Sequence, residues 1–118
     1  MEDIKHLKAI FDGYNNTIDE INQKKEKIAE RICKIAFPYE TGQKVLVRVT
    51  RDSEFVPAFF YGAKYDKCYN YETREFEYFA IPKLYKTKKD GTMSKKDIYV
   101  SPVDIVRGVV VIKPYVEE

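Results

Sequence analysis

The chain has 118 residues, of which 44% are hydrophobic and 34% are charged, and its formal net charge is +2 at pH 7. This length predicts one domain. The composition is that of a folded globular protein and excludes a disordered one. Because the net charge is close to zero, general electrostatic attraction to nucleic acid is not predicted, and such binding would need a local basic patch.

The cysteines and the first residues bear on the compartment. Cys33 and Cys68 are far apart in the sequence, whereas a small secreted protein has a denser cysteine framework and begins with a continuous apolar signal segment. The first residues here carry charges every few positions. No stretch approaches the roughly 18 apolar residues of a membrane-spanning helix. We therefore expect a cytoplasmic protein with free thiols and no membrane association.

Residues 1–37 carry the clearest pattern, that of an amphipathic helix with heptad spacing. The a positions are Ile4, Phe11, Ile18, Lys25 and Ile32, and the d positions are Leu7, Tyr14, Ile21, Ile28 and Ile35. We predict self-association through the first part of this seam, namely Ile4, Leu7, Phe11, Tyr14, Ile18 and Ile21. The single Lys25 is typical of a residue that sets register or limits oligomer size, or of a lysine whose stem passes along the neighbouring domain.

Residues 12–16 interrupt this pattern with poor helix formers. Residues 17–20 match a capping box, which permits a short helix, a turn and a second helix over about 18–36. The heptad register nevertheless continues through this stretch, and a turn would be free to lose phase. This favours one continuous helix, which should end near Phe37 because Pro38 disfavours helical conformation in the residue before it.

From Thr41 the pattern changes to the two-residue period of strands, separated by turn signals. Strands are expected from about 45, and over 55–65, 76–85, 97–100 and 109–113, with a tight hairpin at Asp90-Gly91 and one helical turn at 101–104. Five hairpin-connected strands with a helical turn before the last resemble a small SH3-like barrel in their element order. We predict an α+β protein with a helical segment 1–37, an antiparallel five-stranded barrel 41–113 and a tail 114–118. A curled sheet packed on the helix is the alternative.

The sequence does not assemble catalytic residues. His6 is the only histidine, and it falls on the helix away from the seam, without the partners that histidine-assisted nucleophiles need. One histidine and two distant cysteines lack the close ligand pairs of zinc sites. Glu72, Glu75 and Glu77 are interpreted as a solvated turn and strand face, because so small a domain has little room for a catalytic cleft. We expect no enzymatic activity, no cofactor and no metal.

The segment 83–97 is basic, with six lysines against only Asp90 and Asp97, and tyrosines flank its ends at Tyr85 and Tyr99. Lysines and aromatic rings together are used by small barrels that bind single-stranded nucleic acid. Lysines also keep hairpins from pairing edge to edge, and this interpretation is favoured. The candidate contacts in this basic loop are Lys86, Lys88, Lys89, Lys95 and Lys96.

Aromatic residues are concentrated in the second part of the chain. Because strand side chains alternate, Phe59 and Tyr61 should share one face and Phe60 the other. One face must be core, and the other is either covered by the helix or left as a tyrosine-rich contact surface. A cage for a methylated lysine is a further use of such tyrosines. The candidate partner-binding tyrosines are Tyr61, Tyr65, Tyr69, Tyr71 and Tyr78.

Together these features predict a non-enzymatic interaction protein, of a size common among adaptors and inhibitors. It should bind a macromolecular partner and self-associate through the helix. A protein partner is favoured because the charge is balanced and tyrosine is enriched at protein interfaces. The alternative is a small nucleic-acid-binding barrel that uses residues 83–96.

Overall fold

The computed structural model describes residues 3–116. The elements in chain order are α1 (Ile4–Ala36), β1 (Gln43–Arg48), β2 (Val56–Asn70), β3 (Glu75–Thr87), β4 (Met93–Ile98), α2 (Pro102–Val106) and β5 (Val111–Pro114). The strands form one antiparallel sheet in the order β4-β3-β2-β1-β5. The predicted α+β class, with an N-terminal helix followed by five antiparallel strands, is confirmed. The sheet is not closed, because β4 and β5 are its two edges, so the predicted barrel is not established.

The N-terminal segment forms a single helix of 33 residues. Asp3 caps it, since its carboxylate accepts a hydrogen bond from the Lys5 amide at 3.1 Å. Thr17 does not begin a second helix. Its hydroxyl donates to the Gly13 carbonyl at 3.0 Å, a bond to the preceding turn that fits a helix interior. The prediction of one continuous helix is confirmed, and the helix ends at Ala36 as expected.

The predicted position of β4 is wrong. This strand runs from Met93 to Ile98, so Lys95 and Lys96 lie within it and not in the preceding turn. The stretch has no alternation of apolar residues that could mark a strand. It is extended because it pairs with β3, the strand that precedes it across the turn at residues 88–92.

The hydrophobic core lies against one face of the sheet, where β1, β2 and β3 are neighbours. Its buried members are Phe37, Val45, Val47, Ala58, Phe60, Leu84, Val100 and Val110. Phe60 lies opposite Leu84 in the β2–β3 register. The Phe37 ring, one residue beyond α1, lies 6.1 Å from the Phe60 ring between centroids. The end of the helix is therefore anchored in the sheet's own core.

A bulge bends the β2–β3 hairpin. The register shifts between Phe60 and Ala63, and Gly62 between them has a φ of 99°, which glycine adopts without strain. Pro82 lies opposite Ala63. The pairing of β3 with β4 begins only at Leu84, so Pro82 lies where β3 is an edge and its missing N–H removes no bond to β4.

Most of α1 extends away from the sheet. The described residues measure 75 × 33 × 23 Å along their principal axes, and a helix of this length accounts for about 50 Å. Of the described helix residues only Cys33 is buried, and burial raises the pKa of its thiol. The helix thus packs on the sheet near its C-terminal end.

Candidate interaction surfaces

The first candidate surface is the helix stripe, which we define as the six predicted self-association residues. They are Ile4, Leu7, Phe11, Tyr14, Ile18 and Ile21, and each of them is at least 45% exposed. They lie on one face of a regular helix at heptad spacing. A contiguous apolar stripe of this length is unusual on the surface of a monomer. It is therefore available to another molecule.

In the C-terminal part of the heptad seam, Ile32 is half-buried against the sheet, but the other isoleucines stay exposed. Ile28 is 58% exposed and Ile35 is 80% exposed. The helix instead turns Ala29, Ile32 and Cys33 toward the sheet, and these are half-buried or buried. The packed face is rotated from the seam, so the seam residues stay accessible along most of the helix.

A groove separates α1 from the β2–β3 hairpin. Its walls are Lys25, Glu26, Ile28, Ala29 and Ile32 of the helix and Tyr65 and Tyr78 of the hairpin. The two tyrosine rings are stacked, with centroids 5.5 Å apart. Lys25 therefore lies beside the hairpin, as expected for a lysine whose stem passes along the neighbouring domain.

Beyond this groove the same face of the hairpin stays exposed. Tyr69 lies opposite Phe76, and their rings meet edge to face at 5.4 Å. Tyr69 is 50% exposed and Phe76 is 68% exposed. We define Tyr65, Tyr69, Phe76 and Tyr78 as the aromatic hairpin face. Three of its four members were among the predicted tyrosines.

Tyr71 belongs to a different arrangement. Its phenol donates a hydrogen bond to Asp104 at 2.6 Å and accepts one from Arg107. The bond to Asp104 raises the pKa of Tyr71. Arg107 also contacts Glu72, with 2.8 Å between Nε and Oε1. The tyrosine therefore ties the β2–β3 turn to the α2 region, and the five predicted tyrosines do not form one surface.

The acidic cluster also organises this turn. The side-chain Nδ2 of Asn70 donates a hydrogen bond to the Glu77 carboxylate at 3.0 Å. The side-chain Oδ1 of Asn70 accepts one from the backbone N–H of Glu72 at 3.0 Å. Glu75 lies opposite Asn70 in the register. These contacts give two of the three glutamates, Glu72 and Glu77, a partner within the turn and strand.

The basic loop is a well-bonded turn. The Lys88 amide donates to the Thr92 carbonyl at 2.8 Å, and Asp90 accepts from the Thr92 amide and hydroxyl at 3.0 and 2.6 Å. These bonds to Thr92, with the nearby Lys88 charge, lower the pKa of Asp90.

The five loop lysines do not converge on one patch. All of them are exposed, namely Lys86, Lys88, Lys89, Lys95 and Lys96. Lys95 and Lys96 are consecutive in β4, and consecutive strand side chains point to opposite faces. The predicted loop is therefore basic but divided between two faces.

Sequence reasoning missed a second basic surface, on the face of the sheet opposite the core. We call it the cationic outer face, and its cations are Lys44, Arg48, Lys83 and Lys113. Each lies over an aromatic ring. The distances from Nζ to ring centroid are 3.9 Å for Lys113 on Phe55, 4.5 Å for Lys44 on Tyr115 and 5.5 Å for Lys83 on Tyr85, and the Arg48 guanidinium carbon lies 5.5 Å from Phe55.

Part of this surface was visible in the sequence. In β1, Lys44 and Arg48 occupy the positions that alternate with the buried Val45 and Val47. That alternation marks them as outward-facing, but only the pairing of β1 with β5 brings Lys113 next to them. Tyr61 also lies near this face, because its ring meets Tyr85 edge to face at 5.6 Å.

His6 is exposed on α1. Within residues 3–116 no group of three or more His, Cys, Asp or Glu side chains is placed to hold a metal ion. No described helix is long and apolar enough to cross a membrane.

The fold and its surfaces define a class, namely an α+β chain in which a largely exposed amphipathic helix precedes an open five-stranded antiparallel sheet. Comparison with protein-family models, with curated proteins and with solved structures gave no match.

Proposed function

We propose that this is a non-enzymatic interaction protein that self-associates through the helix stripe and binds a protein partner through the aromatic hairpin face. The exposure of the helix stripe carries this proposal. Six large side chains on one helical face are at least 45% exposed. Solvent exposure of this extent costs free energy that association would recover.

The free energy gained by burying the helix stripe supports self-association. Full burial of one such side chain stabilises by about 1.5–3 kcal/mol, so six half-exposed ones contribute about 4–9 kcal/mol per chain. Two chains that cover each other double this gain. The sum, about 8–18 kcal/mol, is comparable with the roughly 4–15 kcal/mol that association costs in lost translational and rotational freedom.

The aromatic hairpin face supports a protein partner. Tyr69, Phe76 and Tyr78 are about half exposed or more and touch one another or their neighbours through ring contacts. Tyrosine and phenylalanine are enriched at protein interfaces, where they bury much area at low entropic cost. Only Lys67 adds charge within this face.

Two further points belong to the proposal. The element order, with α2 before the last strand, supports an open SH3-like barrel. The two free thiols, Cys33 and Cys68, fit the reducing cytoplasm.

The self-association is tested by sedimentation equilibrium of the full chain at micromolar concentrations. We expect a mass of at least two chains. Isoleucine at most d positions does not favour a parallel two-stranded coil, so the assembly is expected to be antiparallel or larger than a dimer. A mass of one chain at every concentration would contradict the proposal.

The partner surface is tested by capture from a cell lysate. We expect the wild type to retain a protein band after nuclease treatment and a high-salt wash, because an aromatic interface is little screened by salt. Tyr69→Asp with Phe76→Asp should lose that band. The control, Lys88→Glu with Lys89→Glu, should keep it. Loss of the band on nuclease treatment, or its retention by the aromatic variant, would contradict a protein partner at this face.

A second candidate function is nucleic-acid binding by residues 83–96. One observation favours it: among the described residues, no carboxylate lies in salt-bridge range of the five loop lysines. Their division between two faces weighs against a single binding site in the loop.

A further inference from the structure

We propose that the cationic outer face of the sheet binds single-stranded nucleic acid, with phosphates on its four cations and bases on the rings between them. This site is independent of the helix stripe and the aromatic hairpin face. It also differs from the turn lysines of the basic loop, although Lys83 belongs to the same basic segment of the sequence.

The strand register places one cation and two rings in a row across three strands. Lys44 lies directly opposite Phe59 in the β1–β2 pair, and Phe59 lies opposite Tyr85 in the β2–β3 pair. Directly opposite residues on neighbouring strands share a face with their Cβ atoms about 5 Å apart. Lys83 lies two residues before Tyr85 on the same strand face, and Lys113 enters from β5 on the other side of Lys44's strand.

Around these cations the charge is predominantly positive, and the same face carries Asp66, Glu75 and Glu77 farther along the β2–β3 hairpin. Four cations share it, whereas Asp97, opposite Tyr85, is the acidic residue that the strand register places in the row. None of the four cations has a described carboxylate within salt-bridge distance. The Arg48 Nε is buried and has no hydrogen-bond partner among the described residues. Because the whole chain carries only +2, this face concentrates positive potential well above the average of the surface.

The aromatic rings of the cationic outer face favour one class of anionic partner over the others. An acidic peptide would bind the cations and would use the aromatic rings only as supports for those cations. A single strand alternates phosphates with flat bases, and aromatic rings on a sheet face beside lysines are how such strands are bound in other proteins. Duplex nucleic acid offers the phosphates but keeps its bases stacked inside. A surface that carries both cations and aromatic rings therefore fits a single strand best.

The test uses fluorescence anisotropy of a labelled oligothymidylate of about 20 nucleotides, longer than one small-barrel site, at about 50 mM salt. Lys83→Glu with Lys113→Glu is compared with Lys88→Glu with Lys89→Glu. All four positions are exposed. Each pair lowers the formal net charge from +2 to −2, because each substitution removes two units. The comparison therefore reports the location of the site and not the total charge.

We expect the wild type to bind and the outer-face variant to lose about tenfold or more in affinity. The slope of log binding constant against log salt concentration should become shallower by about 0.7 for each phosphate contact that the variant loses. The control should stay within about threefold of the wild type, and both variants should keep the wild-type thermal unfolding curve, since exposed substitutions usually change stability little.

Four results would overturn the proposal. The first is that the wild type fails to bind the oligonucleotide at this salt concentration. The Lys88 and Lys89 variant loses as much affinity as the outer-face variant, which would place the site in the basic loop. Polyglutamate competes as well as unlabelled oligothymidylate, which would indicate an acidic protein partner. Duplex binds more tightly than the single strand, which would exclude base stacking.

Discussion

Replacing Ile18 and Ile21 with aspartate is expected to convert the self-associated protein to single chains while the sheet stays folded. Both side chains are more than 50% exposed, so the substitutions remove no intramolecular packing. In the assembly they lie at adjacent a and d positions, where a carboxylate is desolvated without a partner. The lost burial alone is about 3–6 kcal/mol per dimer, or a hundredfold or more in Kd.

The measurement is sedimentation equilibrium together with circular dichroism. A matched control is Asn16→Asp with Gln23→Asp, which adds the same two negative charges at heptad f positions, on the opposite side of the helix from the seam. The control should retain the wild-type mass. If the aspartate pair at 18 and 21 leaves the mass unchanged, the helix stripe is not the contact surface.

The second large effect is expected in the core, where Leu84→Ala should lower the free energy of unfolding by about 2–5 kcal/mol. Leu84 has no exposed surface and lies opposite Phe60 on β2 and Ile98 on β4. Truncation removes buried methyl groups and leaves a cavity at the centre of three strands. Urea denaturation at fixed protein concentration measures the change, because the proposed self-association would make the free energy of unfolding depend on concentration.

The comparison for this variant is Val106→Ala, an aliphatic truncation at a side chain that is 74% exposed. We expect it to change the free energy of unfolding by no more than about 0.5 kcal/mol. A loss below about 1 kcal/mol for Leu84→Ala would mean that Leu84 is not at the centre of the core.

The two apolar surfaces and the cationic outer face should respond differently to salt, which separates their functions experimentally. The helix stripe and the aromatic hairpin face are apolar, so contacts made there should persist as salt rises. The cationic outer face acts through exposed or half-buried charges, whose interactions are screened over about 10 Å at 0.1 M salt. A partner that dissociates with salt therefore points to the outer face, and one that does not points to the apolar surfaces.

The sequence determined the elements that depend on near neighbours. The three- and four-residue spacing from Ile4 to Ile35 predicted the helix, because residues three and four apart share a helical face. That register also outweighed the poor helix formers around Gly13. The alternation in β1 and the Asp90-Gly91 turn were likewise readable locally.

The tertiary structure decided everything that depends on which distant segments meet. It turned Cys33 to the sheet and left Ile28 and Ile35 exposed, because anchoring of Phe37 in the core fixes the rotation of the helix. It also assembled the cationic outer face, since the strand order places β5 next to β1 and so brings Lys113 near Lys44 and Arg48, which lie far earlier in the chain. Such pairings are set by backbone hydrogen bonds and core packing between remote segments, and a local pattern carries no record of them.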